Sequence, residues 1–440
     1  MSESNKDFKP SVFKPSVFKP SVFKLPESKD NINSIIKTYK NDVKIANSYS
    51  QPLFSLGFHS FQHRTKSAMN ITSKLETKKK FYNIVNNFDP DTLNVKETVS
   101  GGYYKMWEML SLFDIASKDK IVYGAIAEGP GSFVESFIDF RKKYFDIKND
   151  KIYSVTLKPE KEDNVEDMNK QFLARMKKDY SDIYSSHKTS IKSVADKYTG
   201  KDNGDITDTK TIKNFKKDMV KDNNLADLVT ADGSKYIYDE NFKEQESYIL
   251  IFGEIVAALS VQNKGGHFVL KMFDTFTDTS VKMIYILNMF YDEVFIFKPF
   301  TSLESDDEKY VVCKNFKFNQ KDIVKELKYL TDMLDNMDTN KFIDDIITKL
   351  TVSDDFITTI KFSNIELINN QQITINKIVT FIKKNNYFGE DYHNYKNNQD
   401  NAHKFWKQYF YGDKVSNKDI LINQIEYVIS ELKLFKKSLF

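Results

Sequence analysis

The sequence predicts an α/β fold with a mostly parallel sheet, an antiparallel last strand and a helical C-terminal extension. Between residues 121 and 298, short apolar runs alternate with segments of helical apolar spacing, which is typical of parallel strands joined by helices. The runs 293–298 and 309–315 are joined by a loop without a helical pattern, which indicates that the last strand is antiparallel. From residue 319 onward the apolar spacing is helical.

The first buried strand is predicted at residues 121–127, IVYGAIA, followed by a glycine turn and a helix that begins SFVESF. Residues 160–222 are rich in lysine and aspartate and are interpreted as a helical or loop insertion. Further strands are predicted at 151–157, 225–231, 267–273, 293–298 and 309–315, and further helices near 247–262 and 278–290.

The pattern divides the chain into four regions: a poorly ordered repeat arm at 1–30, a helical region at 31–100, an α/β domain at 101–318 and a helical C-terminal domain at 319–440. Within the arm, residues 8–24 repeat the five-residue unit FKPSV, and the recurring proline favours an extended chain. Two interpretations of the repeat stay open. It is either a short binding motif or nucleic-acid tether, or a repeat tolerated in a tail.

Composition excludes several classes of protein. The 440 residues carry a net charge of +3, which says little about partners. A single cysteine, Cys313, excludes a disulfide framework or a cysteine-rich zinc site and favours an intracellular, cytoplasmic protein. No apolar run reaches the roughly 18 residues of a membrane-spanning helix, so no membrane association is expected. The histidines lack metal-ligand spacing, so no metal site is expected.

Five features carry candidate chemistry. The turn at residues 127–133, AEGPGSF, lets the backbone approach a ligand, although an ordinary tight turn explains it equally well. Asp232 ends a strand, which alone indicates a turn. Lys271 lies within an apolar strand, where it must be paired or reach water. Glu308 and Lys105, taken singly, are typical surface residues.

Together and in order, five segments resemble the FtsJ/RrmJ-like RNA 2′-O-ribose methyltransferases, particularly the cap-methylating branch found in large cytoplasmic DNA viruses. The segments are YYKMWEM, EGPGSF, TADG, GGHFVLKMFD and KPFTSLESDDEKYVVCK. The resemblance spans about residues 101–318 and implies a Rossmann-like methyltransferase sheet. It implies methyl transfer from S-adenosyl-L-methionine to a ribose 2′-hydroxyl of RNA, at the cap-proximal nucleotide of mRNA, in the host cytoplasm or virion.

The resemblance also implies a catalytic set of Lys105, Asp232, Lys271 and Glu308. A ribose 2′-hydroxyl is a poor nucleophile at neutral pH, so its proton must be handled as the methyl group arrives. Lys271 is expected to act on that proton, either as a neutral amine or by steering the oxygen lone pair. Lys105 would lower the pKa of Lys271 by repulsion, while Asp232 and Glu308 orient it.

Binding residues follow from the same resemblance. It implies cofactor contacts from Glu128, Gly129, Pro130, Gly131, Phe133 and Asp205, although a simple Asn-Gly-Asp turn explains Asp205 equally well. Tyr104, Trp107 and Ser302 are candidates for contact with the substrate, although core packing explains the two aromatic residues better than stacking on a base or cap does. One departure from the family pattern is Leu303, where arginine is usual.

Two other functions stay open at this point. One is 2′-O-methylation of structured RNA such as rRNA. The other is a non-catalytic RNA-binding or assembly subunit that has kept the methyltransferase fold. RNA is the expected partner in each case, and the helices of 319–440 are candidates for binding a capping or transcription subunit.

Overall fold

The structure is a computed structural model that describes residues 21–28, 30, 43–69, 83–157, 168–184, 204–221, 224–337, 341–385 and 387–438. Its strands are β1 (Ser21–Lys24), β2 (Val43–Ala46), β3 (Val122–Ile126), β4 (Lys151–Val155), β5 (Ala226–Ala231), β6 (Gln262–Met272), β7 (Tyr291–Lys298), β8 (Lys309–Phe316) and β9 (Phe342–Ile346).

The longer helices are α1 (Leu56–Ala68), α2 (Gly102–Phe113), α3 (Ser132–Tyr144), α4 (Lys170–Asp179), α5 (Thr209–Lys221), α6 (Tyr248–Val261), α7 (Asp278–Phe290), α8 (Val324–Asp335), α9 (Asp354–Lys384), α10 (Glu390–Phe410) and α11 (Lys418–Ser438). Single helical turns lie at Pro90–Leu93, Ser181–Tyr184 and Lys243–Glu246, and short 3₁₀ segments at Ile147–Asn149, Glu240–Phe242 and Gln320–Asp322. Among the described residues, no helix is long and apolar enough to cross a membrane.

Seven strands form the central sheet in the order β4-β3-β5-β6-β8-β7-β1. The pairs β3/β4, β3/β5 and β5/β6 are parallel. Strand β8 lies between β6 and β7 and is antiparallel to both. The predicted mostly parallel sheet with an antiparallel last strand is therefore confirmed, and the six strands predicted from apolar runs are all present.

Helices cover both faces of the sheet, and the alternation of side chains along each strand divides the core in two. In β3, Val122 and Ile126 enter a cluster with helices α5 to α9. Tyr123 and Ala125 enter the opposite cluster, with α2, α3, α4 and α10. Because both faces are buried, the strands read as continuous apolar runs, which is why the sequence revealed them.

The last residues of the repeat arm differ from the prediction. Ser21–Lys24 form β1, which pairs antiparallel with β7 at the edge of the sheet. Val22 and Phe23 are buried there, on opposite faces of the sheet. An apolar Val-Phe pair covers the open backbone groups of β7 and gains core burial, so the prediction of a disordered arm is wrong for these residues. Residues 1–20 lie outside the described part of the chain.

The predicted boundary at residue 318 does not separate two cores. Strand β9 pairs with β2 from the N-terminal region. Phe405, Trp406 and Phe410 of α10 share one buried cluster with the α2 side chains. Trp107 Nε1 donates a hydrogen bond of 2.5 Å to the carbonyl of Phe410. The C-terminal segment therefore completes the core of the α/β unit, and it is not purely helical.

Candidate active site

A cleft of about 870 Å³ opens beyond the carboxyl ends of the central parallel strands. Ala127 follows β3, Asp232 follows β5, and Lys271 is the second-last residue of β6. Because β3, β5 and β6 are neighbours in the sheet, these strand ends meet along one edge, where open α/β sheets bind their ligands.

The four residues predicted to be catalytic converge at this cleft and form two ion pairs. Lys105 lies in the first turn of α2, and its Nζ is 2.6 Å from Glu308 Oε1. Lys271 Nζ is 3.2 Å from Asp232 Oδ1 and donates to the Asp232 carbonyl at 2.8 Å. All four side chains line the cleft. The predicted set is therefore brought together by segments far apart in sequence.

Tyr310 joins the two ion pairs, and the sequence analysis did not single it out. The β6/β8 register places it opposite Lys271. Its buried hydroxyl lies 3.1 Å from Asp232 Oδ1 and 3.1 Å from Glu308 Oε1. A phenolic hydroxyl has one proton, so it donates to one carboxylate at a time and couples the two. The sequence did carry a signal for Tyr310, because residues two apart on a strand project from the same face and Tyr310 lies two residues after Glu308.

The charges of the site reinforce one another. Burial alone would raise the pKa of Glu308, but the ammonium groups of Lys105, Lys271 and Lys298 outweigh it and hold that pKa at about 2. Burial opposes the charge on Lys105, yet the carboxylates of Glu308 and Asp232 raise its pKa above the usual value. Both members of the Lys105–Glu308 pair are therefore ionised at neutral pH.

Lys298 and Asp307 brace the segment that delivers Glu308, and both were missed. Lys298 Nζ donates to the Glu308 carbonyl at 2.7 Å and to the Asp306 carbonyl at 2.9 Å. Burial lowers the pKa of Lys298 to about 8. Asp307 accepts a 2.7 Å bond from Lys66 of α1, which bonds Asp274 at the same distance. The N-terminal helix thus holds the chain next to a candidate catalytic residue.

The glycine turn supplies fewer cleft contacts than predicted. Gly129 and Pro130 line the cleft, and so does Ser132, which was not predicted. Glu128 is instead buried beneath the turn, where its carboxylate accepts from the backbone N–H of Val134 at 2.8 Å. A buried acid at a helix start satisfies an otherwise unpaired N–H. Burial raises the pKa of Glu128 to about 8.

Gly131 and Phe133 also lie away from the cleft, which corrects their predicted role. Gly131 has a φ of 112°, and a Cβ there would lie 2.7 Å from the ring of Phe172 on α4. Phe133 is buried, with its ring centroid 6.1 Å from that of Tyr310. Gly131 allows α4 to cover the turn, and Phe133 packs near Tyr310. Both residues therefore support the cleft without lining it.

Asp205 lines the cleft as predicted. Its Oδ1 accepts from the backbone N–H of Thr207 at 2.9 Å and from the Thr207 hydroxyl at 2.7 Å. These bonds fix the carboxylate in place. The neighbouring Gly204 has a φ of 80°, and a Cβ there would lie 1.9 Å from the carbonyl oxygen of Thr156.

Substituting Gly204 by alanine is expected to weaken binding of the methyl donor that the resemblance implies, S-adenosyl-L-methionine, by at least about tenfold, because the segment carrying Asp205 must move away from Thr156. Gly265→Ala is a matched control: its φ is 76°, but a Cβ added there would meet nothing within 4 Å. Both substitutions cost similar backbone strain. Calorimetric titration measures the two affinities, and equal affinities would show that contact with Thr156 does not shape the cleft.

The predicted substrate contacts need correction. Tyr104 and Trp107 are buried, at 2% and 0% exposed, and face α10 rather than the cleft. The apolar side of α2 must be covered, and the C-terminal helices do so. Ser302 is also buried, but its hydroxyl lies 3.4 Å from Glu308 Oε1. Ser302 is therefore placed to orient Glu308, not to touch a substrate.

Glu108 fixes the loop that carries Ser302, a role that no sequence motif indicated. It lies one turn after Lys105 on α2 and is fully buried. Its carboxylate accepts from the backbone N–H groups of Phe300 and Thr301 at 2.8 and 3.0 Å, from the Thr301 hydroxyl at 2.6 Å and from Trp406 Nε1 at 3.0 Å. Helix α10 is thereby linked to the loop before Glu308.

Glu254 of α6 is a further buried acid beside the cleft. Its Oε1 accepts from the backbone N–H of Gly233 at 2.9 Å and so holds the turn after Asp232. Burial raises the pKa of Glu254 to about 8, although Lys271 partly opposes this. The folded protein therefore keeps a proton on Glu254 at neutral pH that the unfolded chain releases.

That proton predicts a pH dependence of stability. Between the ordinary pKa of 4.5 and the folded pKa of about 8, the folded state binds more protons, so the free energy of unfolding falls as pH rises. Glu254→Gln cannot ionise and should lose less stability than wild type between about pH 5 and pH 8. Urea unfolding at both pH values measures this. Glu97→Gln, at an exposed position, is the control, and identical pH slopes for wild type and Glu254→Gln would contradict the assignment.

Among the described residues, no group of three His, Cys, Asp or Glu side chains is arranged to hold a metal ion. Amines, carboxylates and hydroxyls line the cleft, among them those of Lys105, Asp232 and Ser132.

Comparison with known proteins shows what this chain is similar to. A family model described as FtsJ-like methyltransferase matches residues 98–316. The inactive cap-specific mRNA (nucleoside-2′-O-)-methyltransferase 1B of Caenorhabditis briggsae is 26% identical over 299 residues, covering 66% of this chain and 32% of the relative.

Two further relatives carry similar descriptions. The cap-specific mRNA (nucleoside-2′-O-)-methyltransferase 2 of Drosophila melanogaster is 28% identical over 246 residues, covering 54% of this chain and 33% of the relative. The cap-specific mRNA (nucleoside-2′-O-)-methyltransferase 1 of Mus musculus is 32% identical over 208 residues, covering 47% and 22%. The chain thus spans about a third or less of the length of these relatives.

Proposed function

We propose, from the premise that residues 98–316 form an FtsJ-like methyltransferase domain, that this protein transfers a methyl group from S-adenosylmethionine to a ribose 2′-hydroxyl of RNA. The observation that carries the proposal is the convergence of the Lys105–Glu308 and Lys271–Asp232 pairs on one cleft, joined through Tyr310. Buried ion pairs contribute little net stability on average, because desolvation offsets their attraction, so two such pairs beside one cleft favour a functional role.

The cleft fits adenosylmethionine in size and in chemistry. Its volume of about 870 Å³ lies within the range of about 300–1,000 Å³ found for small-ligand sites. Ile206, Ile249 and Leu250 line the cleft together with Asp205, and this set suits an adenine ring and its amino group. Asp232 also lines the cleft, and its carboxylate can face a sulfonium. Gly129 and Pro130 of the glycine turn complete the lining.

When bound, adenosylmethionine supplies a methyl group on a positively charged sulfur. The chain itself orients the acceptor oxygen. Lys271 has three N–H donors as an ammonium, and the carbonyl and carboxylate of Asp232 take two of them. A third can hold the hydroxyl oxygen at the mouth of the cleft. Glu308, fixed by Lys105 and Tyr310, supplies the negative charge that keeps the lysine in place.

The hydroxyl proton must leave as the carbon–oxygen bond forms, and two routes are consistent with this arrangement. In one, Lys271 is neutral and takes the proton itself. In the other, Lys271 stays charged, steers the oxygen lone pair, and the proton leaves to water. In both routes Lys271 acts by holding the hydroxyl oxygen in position, and such positioning supplies much of the rate of group transfer.

The substrate is proposed to be the cap-proximal nucleotide of mRNA. The supporting observation is that the three relatives described above are named as cap-specific mRNA methyltransferases. One of those relatives is named inactive. In this chain the four side chains are all present and paired across the cleft, which supports an active enzyme rather than a non-catalytic RNA-binding subunit.

A methyl-transfer assay tests the proposal. Radiolabelled adenosylmethionine is offered with a short capped RNA, the same RNA uncapped, and a folded rRNA fragment, and the products are mapped by nuclease digestion. The expected result is label at a nuclease-resistant linkage next to the cap. Label only in the folded fragment would point to structured RNA. No transfer to any RNA, with no calorimetric binding of adenosylmethionine at millimolar concentration, would favour the non-catalytic role.

A further inference from the structure

A second cavity of about 470 Å³ adjoins the main cleft. The two cavities share four lining residues, Ser234, Lys235, Lys271 and Glu308. They therefore meet at the candidate catalytic side chains, one on each side. If the main cleft holds the methyl donor, the second cavity is where an acceptor nucleoside can reach Lys271.

Two exposed tyrosine rings lie where the second cavity meets the main cleft. Residues 234–239 follow Asp232-Gly233 and include Tyr236, 51% exposed, and Tyr238, 84% exposed. The two rings meet edge to face, with centroids 5.2 Å apart. Tyr236 lines the second cavity, whereas Tyr238 lines the main cleft. Burying a large ring usually stabilises the folded protein. These two rings are exposed and therefore contribute little to the core.

The segment is anchored at both ends. Gly233 N–H donates to Glu254 Oε1 at 2.9 Å. The backbone N–H groups of Tyr238 and Asp239 donate to the carboxylate of Glu246 at 2.8 and 3.0 Å. Tyr49 donates its hydroxyl to the same carboxylate at 2.8 Å. The exposed ring of Tyr236 is thus presented on a fixed backbone, which lowers the entropy lost on binding.

The surrounding charges suit a nucleotide. Lys235 and Lys243 line the cavity together with Tyr236, and Phe273 closes it beneath Lys243, whose Nζ is 4.1 Å from the Phe273 ring centroid. Lys243 is partly neutralised by Asp307 at 3.5 Å, which leaves Lys235 as the better phosphate contact. Glu240 on the same wall can accept an N–H from a base edge.

We propose that Tyr236 is a stacking platform for the base of the nucleotide whose ribose is methylated, and that the protein therefore takes an unpaired RNA end. Proteins read single-stranded RNA by stacking unpaired bases on aromatic rings, and a base within a duplex is not accessible to such a ring. This inference rests on the proposed function, because it assigns the second cavity to the acceptor.

RNA binding tests the platform without requiring methyl transfer. The probe is a capped single strand of about twelve nucleotides with fluorescein at its 3′ end, titrated by anisotropy. Tyr236→Ala is expected to raise its Kd about tenfold, and Tyr236→Phe, which keeps the ring, by no more than about twofold. Tyr427→Ala, at a 46% exposed position on α11, is the matched control and should bind as wild type.

An abasic first nucleotide completes the cycle. With that probe, wild type and Tyr236→Ala are expected to bind equally, because no base is left to stack. The platform is overturned if Tyr236→Ala binds the intact probe as wild type does, if the alanine effect persists on the abasic probe, or if a blunt duplex binds as tightly as the single strand. If Tyr236→Ala weakens binding but wild type methylates no RNA, stacking stands and the proposed function fails.

Discussion

Replacing Lys271 by methionine is expected to lower kcat for methyl transfer by about 10³-fold or more, a loss typical of removing a group that handles the reacting proton. The affinity for adenosylmethionine should change by no more than about threefold, because methionine keeps most of the length of the side chain and the substitution leaves Asp205 and the glycine turn in place. Steady-state methyl transfer at saturating RNA and cofactor and calorimetric titration measure the two quantities.

Two further variants sharpen this result. Lys264→Met changes an exposed lysine on the same strand and should leave kcat unchanged. Lys271→Arg keeps a charged donor but cannot give up its proton near neutral pH, so retained activity would favour steering and lost activity would favour proton uptake. Substantial transfer by Lys271→Met would remove this lysine from the mechanism altogether.

Glu308→Gln is expected to lower kcat about 10²-fold with a smaller change in adenosylmethionine affinity. The substitution keeps the shape but removes the charge that Lys105, Lys271 and Lys298 face. Lys105, half-buried beside it, then loses its ion-pair partner, and the orientation of both amines relaxes. The measurement is kcat under saturating RNA and cofactor, with melting temperature recorded for each variant.

The control for Glu308 is a Lys–Glu pair elsewhere on the sheet. Glu293→Gln breaks the half-exposed pair with Lys24, whose atoms are 2.5 Å apart, and should leave kcat unaltered. Tyr310→Phe removes only the shared hydroxyl and should lower kcat about tenfold. A Glu308→Gln enzyme as active as wild type would show that the Lys105–Glu308 pair is structural.

The sequence predicted the central sheet well because its strands are buried on both faces. Their apolar runs are continuous, and the helices between them keep a clear period. It did not reveal β1, because three identical FKPSV units give no sign of which one meets the open edge of β7. Nor did it reveal β9, whose FIDDI sequence has an apolar signal too short to distinguish from the helices around it.

The paired amines and acids could be predicted because each lies in a motif of its own. Their supports could not. Glu108 and Glu254 are acids on apolar helices whose function depends on backbone N–H groups nearly two hundred and about twenty residues away in the chain. Glu128 was predicted to contact the cofactor, but its carboxylate instead accepts a hydrogen bond from the backbone at the start of α3. These hydrogen bonds form only when distant parts of the chain pack together, so the spacing of residues along the sequence does not predict them.

The C-terminal helices illustrate the same point. For Tyr104 and Trp107 the sequence left both base stacking and core packing open, and the structure shows core packing, because α10 covers them and Trp406 reaches Glu108. Whether the remaining surface of 319–440 binds a capping or transcription subunit stays a prediction.

The central claim is that the acceptor is one ribose hydroxyl, held at Lys271 between the two cavities. The most direct measurement is methyl transfer to two capped RNAs that differ only at the first nucleotide, ribose in one and 2′-deoxyribose in the other. Label is expected in the ribose RNA alone. Equal labelling of the 2′-deoxy RNA would mean that the methyl group goes to another atom, and the assignment of the cleft would be wrong.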